Sequence, residues 1–217
     1  MVKRLERVRA YFPEVSDEKH EKLEAYRDLL LQWNERINLI SRKDVDNIEL
    51  HHILHSLAIA KIISFLPDSR VLDVGTGGGL PGIPLAILFP ETEFVLIDRI
   101  GKKVDAVKSM IADLKISNVS VIKGHAADVE PGFDFIVSRA VTRLNEFTPW
   151  IKGKLSKTDK HPILNGILYL KGGEIEEELL ASKWNSQITP ISDFFSEDFF
   201  QTKNVVYLKQ PGRVRKD

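Results

Sequence analysis

The sequence predicts an α/β fold: a parallel sheet with helices on both faces, preceded by a helical extension. Three observations predict it. Five short apolar runs, at 71–74, 94–97, 119–122, 133–137 and 167–170, alternate with helical stretches. The runs are almost continuously apolar, as strands buried on both faces of a parallel sheet must be. The first run ends in a cluster of glycines and the second ends at Asp98, and such sheets bind ligands at the C-terminal ends of their strands. The boundary is expected at Pro67-Asp68-Ser69, dividing a helical extension, 1–66, from a sheet domain, 67–217.

In the extension, Ser16 is a plausible N-cap, followed by Asp17 and Glu18, where negative charge suits the helix dipole. Leu23, Tyr26, Leu30, Trp33, Ile37 and Ile40 recur three or four residues apart and form one helical stripe. A second helix is expected from Asp46, with Glu49 in capping-box position, through Ile53, Leu57, Ala60 and Ile63 to about Leu66. Within the sheet domain, helices are expected at 84–88 and 102–114, and a late strand at 205–208. Phe194, Phe195, Phe199 and Phe200 are expected to pack the last strands together.

Composition narrows the chemistry. The 217 residues carry 31 Lys+Arg and 31 Asp+Glu, so charge gives no global hint of a polyanionic partner, although a local basic face stays open. There is no cysteine, which excludes disulfides, thiolate metal sites and a cysteine nucleophile. No run of about 18 apolar residues suggests a membrane span, and no secretory signal is visible. A cytoplasmic, monomeric protein is the expectation.

The strongest motif is Asp73-Val74-Gly75-Thr76-Gly77-Gly78-Gly79-Leu80-Pro81-Gly82. Glycines there permit positive φ and let the backbone approach a ligand closely. Their G-x-G-x-G spacing differs from the G-x-G-x-x-G of dinucleotide loops, and no G-K-S/T follows, which excludes a P-loop. Asp98, 19 residues after Gly79, is placed to accept hydrogen bonds from ribose hydroxyls. Loop and acid together point to a nucleoside cofactor, and the D-x-G-x-G-x-G form tilts it towards S-adenosylmethionine. A nicotinamide cofactor and a non-catalytic nucleoside-binding module stay open as alternatives.

The same string, extended through Ile83, Pro84, Leu85 and Ala86, resembles the signature of the RsmG (GidB) family of bacterial small-subunit rRNA guanine-N7 methyltransferases. Trp33-Asn34 with Asn38-Leu39-Ile40-Ser41, His52-Ile53-Leu54-His55-Ser56 and Ser138-Arg139-Ala140 resemble three further family motifs, so the likeness spans about residues 20 to 173. The resemblance implies a Rossmann-like class I methyltransferase sheet with an N-terminal helical extension. It also implies S-adenosyl-L-methionine as donor and the 530-loop region of 16S rRNA, naked or in a 30S particle, as acceptor. By position, the donor would contact Gly75, Thr76, Gly77 and Leu80. Asp98 would meet its ribose, the Ala126-Ala127 backbone its adenine, and Arg139 would close the site. The chain departs from the pattern at His55 (commonly Asp), Arg99 (usually Ser) and Ala127 (often an acid).

The acceptor chemistry agrees with the resemblance. Methylation of pyrimidine carbon 5 needs a cysteine. Exocyclic amines are usually served by an N/D-P-P-Y/F loop, where this chain has Ser138-Arg139-Ala140-Val141. Guanine N7 carries an in-plane lone pair and no proton, so it needs alignment rather than a general base. Arg139 is the candidate functional cation, for the donor carboxylate, guanine O6 or a phosphate; the competing reading is a structural ion pair. His51, His52 and His55 form H-H-x-x-H without a third ligand, so no metal is expected. Basic clusters at 3–9, 152–160 and 213–216 are candidates for rRNA phosphates or plain solvated surface.

Overall fold

The structure, a computed structural model, describes residues 4–139, 142–173, 175–182 and 184–209. Seven strands form one sheet: β1 (Arg70–Val74), β2 (Glu93–Asp98), β3 (Val119–Lys123), β4 (Phe135–Arg139), β5 (Gly166–Gly172), β6 (Asn185–Pro190) and β7 (Lys203–Lys209). Their order is β3-β2-β1-β4-β5-β7-β6. The first five are parallel; β7 lies antiparallel between β5 and β6. The expected parallel sheet therefore holds for its apolar half, and β7 departs from it. The strand β6, Asn-Ser-Gln-Ile-Thr-Pro, was not anticipated. It is polar and solvent-facing, so it carries none of the apolar signal that marks the others.

Alternation along the strands divides the core. Val71, Phe94, Leu96, Phe135, Val137, Leu168 and Leu170 face one layer. Leu72, Val95, Ile97, Ile136, Ile167 and Tyr169 face the other. The second layer is closed by α6 (Leu144–Trp150) and α7 (Glu176–Ser182), through Leu144, Phe147 and Leu179. The first is closed by α4 (Gly82–Leu88), α5 (Gly101–Leu114) and the whole extension. That extension contains α1 (Glu6–Tyr11), α2 (Asp17–Asn34) and α3 (His55–Leu57). Leu5, Tyr26, Leu30, Ile53 and Leu57 share one continuous apolar cluster with Phe94 and Phe135 of the sheet.

Ser16 caps α2, its hydroxyl accepting from the Lys19 amide at 3.4 Å, and Leu23, Tyr26 and Leu30 are buried. The stripe extends past the helix, because α2 ends at Asn34. The Asn34 carboxamide oxygen accepts from the Leu39 and Ile40 amides, both at 2.9 Å, and turns the chain there.

The second expected helix is corrected. Helical structure begins earlier, in a 3-10 turn over Arg42–Asn47 capped by Ser41. It passes through a π-helical turn, Glu49–Leu54, into α3, and ends in a 3-10 turn at Ala58–Lys61, short of Leu66. Glu49 does not cap its own helix. Its carboxylate accepts from the Arg7 and Val8 amides at 2.7 and 3.3 Å, satisfying the open N-terminus of α1 instead. The phenylalanines pack with the last strands as expected, Phe195 and Phe200 sharing the cluster of Leu170, Val205 and Tyr207, and they reach the extension as well. Phe195 lies 4.7 Å from the Tyr11 ring and 6.2 Å from Phe12, while Phe199 stacks on His51 at 4.0 Å. They fasten the extension to the C-terminal part of the sheet.

Candidate functional site

The C-terminal ends of β1, β2 and β4 and the helical segment around α3 enclose a cavity of about 1390 Å³. Gly75, Thr76, Gly77, Leu80, Asp98, Ala126 and Arg139 all line it. Ala127 does not: its amide donates to His125 Nδ1 at 3.1 Å and its carbonyl accepts from Lys154.

The glycine loop is shaped by main-chain hydrogen bonds. Gly75 and Gly77 have φ of 70° and 58°, a region where a side chain strains the backbone. The Ile97 carbonyl accepts from both the Gly75 and Thr76 amides, at 2.9 and 3.1 Å. Asp98 Oδ2 accepts from the Gly77 amide and Oδ1 from the Ile100 amide, both at 2.9 Å. Asp98 thus ties the loop to the start of α5, and each of its oxygens keeps a lone pair for a ligand hydroxyl.

Beneath the loop lies Asp73, fully buried. Its Oδ2 accepts from the Thr76 hydroxyl at 2.6 Å and the Gly82 amide at 2.9 Å. Burial pushes its carboxyl up to about 7, against the lowering pull of those two hydrogen bonds. A Cβ on Gly82 would sit 2.6 Å from Asp73 Oδ2, so this glycine exists for close approach.

The extension reaches the loop from the other side. The Tyr26 hydroxyl donates to the Gly78 carbonyl at 2.9 Å, and a Cβ on Gly78 would meet Leu30 at 2.8 Å. Tyr26 therefore braces the loop as well as filling the apolar stripe. A phenol in such a stripe was the available signal, since a buried hydroxyl needs a partner.

Arg139, the last residue of β4, donates to the His51 carbonyl and to His52 Nδ1, both at 3.0 Å. Among the described residues it has no carboxylate partner, so the ion-pair reading does not hold. Burial lowers both imidazole pKa values, to about 3 at His52 and well below the ordinary value at His55. His51 bonds Asp44 at 2.8 Å. The three histidines serve packing and hydrogen bonding, and no metal-binding group of three occurs among the described residues.

The cationic rim was not visible as a unit. Arg99, Lys103, Arg143, Lys171 and Lys203 line the same cavity from four segments of chain. Lys171 pairs with Glu178; Arg99, Lys103 and Arg143 have no ion pair among the described residues. The basic clusters read from sequence fare differently. Arg7 and Arg9 are engaged by Glu49, Glu197, Asp17 and Glu24. Lys154 bonds backbone carbonyls, and Lys160 approaches Asp134. Lys3, Ala140, Val141, Arg213, Arg215 and Lys216 lie outside the described residues. No helix of the described residues is long and apolar enough to cross a membrane.

Five parallel strands, an antiparallel β7 between β5 and β6, and a glycine loop after β1 define the class I methyltransferase fold. Solved structures agree. An S-adenosylmethionine-dependent methyltransferase from Aquifex aeolicus is similar at a TM-score of 0.55 and 16% identity, covering 78% of this chain and 98% of that one. TYW2 from P. horikoshii, solved in complex with MeSAdo, gives 0.53 and 16%, covering 72% and 61%. Sequence comparison goes further. Residues 19–205 match the GidB family, rRNA small subunit methyltransferase G, and the chain belongs to that family. It is 50% identical to ribosomal RNA small subunit methyltransferase G of Flavobacterium johnsoniae, covering 94% of this chain and 97% of the relative. The homologous enzyme of Christiangramia forsetii is 49% identical, covering 94% and 96%.

Proposed function

We propose that this chain is an S-adenosylmethionine-dependent rRNA methyltransferase that modifies N7 of a guanine in the 530-loop region of 16S rRNA. The observation that carries the reading is the pairing of two walls in one cavity. One is a main-chain bend, Gly75 to Gly77, and the other is a cation, Arg139, with no ion pair among the described residues.

The residues fit the cofactor. The positive-φ loop leaves room for a ligand against its backbone, Asp98 retains acceptor capacity for ribose hydroxyls, and Ala126 lines the cavity where an adenine would lie. Arg139 suits a carboxylate. Once bound, this cofactor supplies an activated methyl group on a sulfonium. The protein's task is then alignment and electrostatics. His52 and His55 are held neutral by burial, and Asp73 is buried under the loop, off the cavity lining, with Oδ2 taken by Thr76 and Gly82 and Oδ1 facing no hydrogen-bond partner among the described residues. Of the carboxylates that line the cavity, Asp98 accepts from two amides and Glu146 from the Thr142 hydroxyl, and an acceptor nitrogen that has no proton to lose asks for no base. Arg99, Lys103 and Arg143 at the rim suit RNA phosphates. We further propose that residues 1–66 form a separate extension whose service is to complete this cavity, in a monomeric cytoplasmic enzyme.

The test is to incubate the protein with labelled S-adenosylmethionine and 16S rRNA or 30S particles lacking this modification, and to map the label. Label at N7 of a 530-loop guanine is the expected result. Cofactor binding without transfer to either substrate would favour a non-catalytic nucleoside-binding module. Label on an exocyclic amine or a ribose would overturn the N7 assignment.

A further inference from the structure

Arg139 is held in an unusual way for a half-buried cation. Buried arginines ordinarily face a carboxylate, because an unpaired charge is costly away from water. Here two neutral acceptors hold it: the His51 carbonyl and His52 Nδ1, each at 3.0 Å. A guanidinium has five N–H donors and no acceptor. Its neighbour at His52 must therefore be an unprotonated Nδ1, which places the ring proton on Nε2. Burial and the adjacent guanidinium keep the ring neutral, with its pKa down to about 3. Nε2 itself is buried with no hydrogen-bond partner among the described residues, so none of these competes to turn the ring over.

Neutral anchors have a consequence that a carboxylate anchor would not. They fix the plane of the guanidinium without an ion pair, Asp73 and Asp44 acting on it only through space. Both anchors come from one helical turn, Glu49–Leu54, while Arg139 ends β4, so the extension aims a side chain supplied by the sheet. Arg139 and His52 both line the cavity, together with Gly75 and Gly77.

We propose that His52 is the positioning residue for Arg139, holding its guanidinium, free of any ion pair among the described residues, for the carboxylate of the amino-acid-bearing nucleoside. The inference rests on the cofactor reading above and deepens it. It assigns His52 no contact with the reacting atoms.

The experiment measures binding of S-adenosylhomocysteine and of its decarboxylated analogue by calorimetry. Wild type is expected to prefer the carboxylate-bearing ligand about ten- to hundredfold, as for a charge-assisted hydrogen bond. His52→Gln places its amide near the Nε2 position and offers Arg139 nothing at Nδ1. It is expected to bring the preference below about threefold while leaving the analogue's affinity within about threefold. His52→Asn, whose amide oxygen can occupy the Nδ1 position, is expected to restore most of the preference. An unchanged preference in His52→Gln overturns the proposal, as does equal loss of both ligands in both variants. Wild type that binds neither ligand overturns the cofactor reading itself, a distinguishable result. Should His52→Gln fail to fold, 15N spectra of the intact wild type decide: Nδ1 unprotonated and Nε2 protonated is expected, and the opposite tautomer overturns the proposal.

Discussion

Two walls of the cavity are made in different ways. The loop after β1 presents main chain: its shape comes from glycine φ values and from amides gathered by Ile97 and Asp98. The wall around α3 presents side chains: His52 and the Arg139 it holds, packed from a helical turn of irregular geometry. A main-chain wall needs a particular residue type at every position, so it leaves a readable string in the sequence. A side-chain wall needs only partners that meet in space, and these lie 87 residues apart along the chain. The difference teaches that a motif's visibility measures how local its construction is, not how much it contributes.

The sharpest way to break the comparison is at the loop. Gly75→Val puts a β-branched side chain at φ 70°, costing about 1–2 kcal/mol of strain and filling the space a ligand would use. Affinity for S-adenosylhomocysteine is expected to fall by about a hundredfold or more, for a combined loss near 3 kcal/mol. Circular dichroism is expected to stay native. Retained affinity would show that the main-chain wall is not where the ligand sits.

The support beneath the loop offers a second test, in pH. The folded-state pKa of Asp73 is raised, from 3.8 to about 7, so the folded protein binds the proton more tightly than the unfolded chain. Against the buried neutral His52 and His55, whose lowered pKa values favour the fold as pH rises, the contribution of Asp73 to stability is expected to be largest below about pH 4. It should decline through the window to pH 7, with a slope of at most about 1.4 kcal/mol per pH unit from this group, and level off above it. Asp73→Asn removes that decline in urea titrations across the window. An identical slope in the variant would mean that Asp73 is ionised in the fold at all these pH values.

The smallest effect sharpens the link between the walls. Tyr26→Phe removes only the hydroxyl that reaches Gly78, leaving a buried carbonyl unpaired. A loss of about 1–2 kcal/mol in unfolding free energy is expected, with a fall of a few-fold in ligand affinity. A stability change with no affinity change would separate the extension from the loop's function.

Much of the sheet was legible because apolar runs and parallel burial go together. The runs at 71–74, 94–97, 119–122 and 167–170 all fall within strands, and the run at 133–137 enters β4 two residues early. The edge strand β6 was not legible, since Asn185 to Pro190 faces solvent and shows no apolar period. The segment from Asp46 to about Leu66 was read as one helix, because its apolar spacing is helical. Its alternation of 3-10 and π turns depends on Ser41, Glu49 and Phe199 finding distant or non-helical partners.

By itself the sequence determined the class of fold, the glycine bend and the acid at the end of β2, because each is written in neighbouring residues whose local physics admits few conformations. Tertiary structure alone decided that the extension belongs to the cavity. Only there does Tyr26 find Gly78, His52 find Arg139, and the rim cations of four segments converge. The physical reason is range: backbone preference acts over a few residues, whereas a buried donor takes whichever acceptor the packed core brings to within about 3 Å.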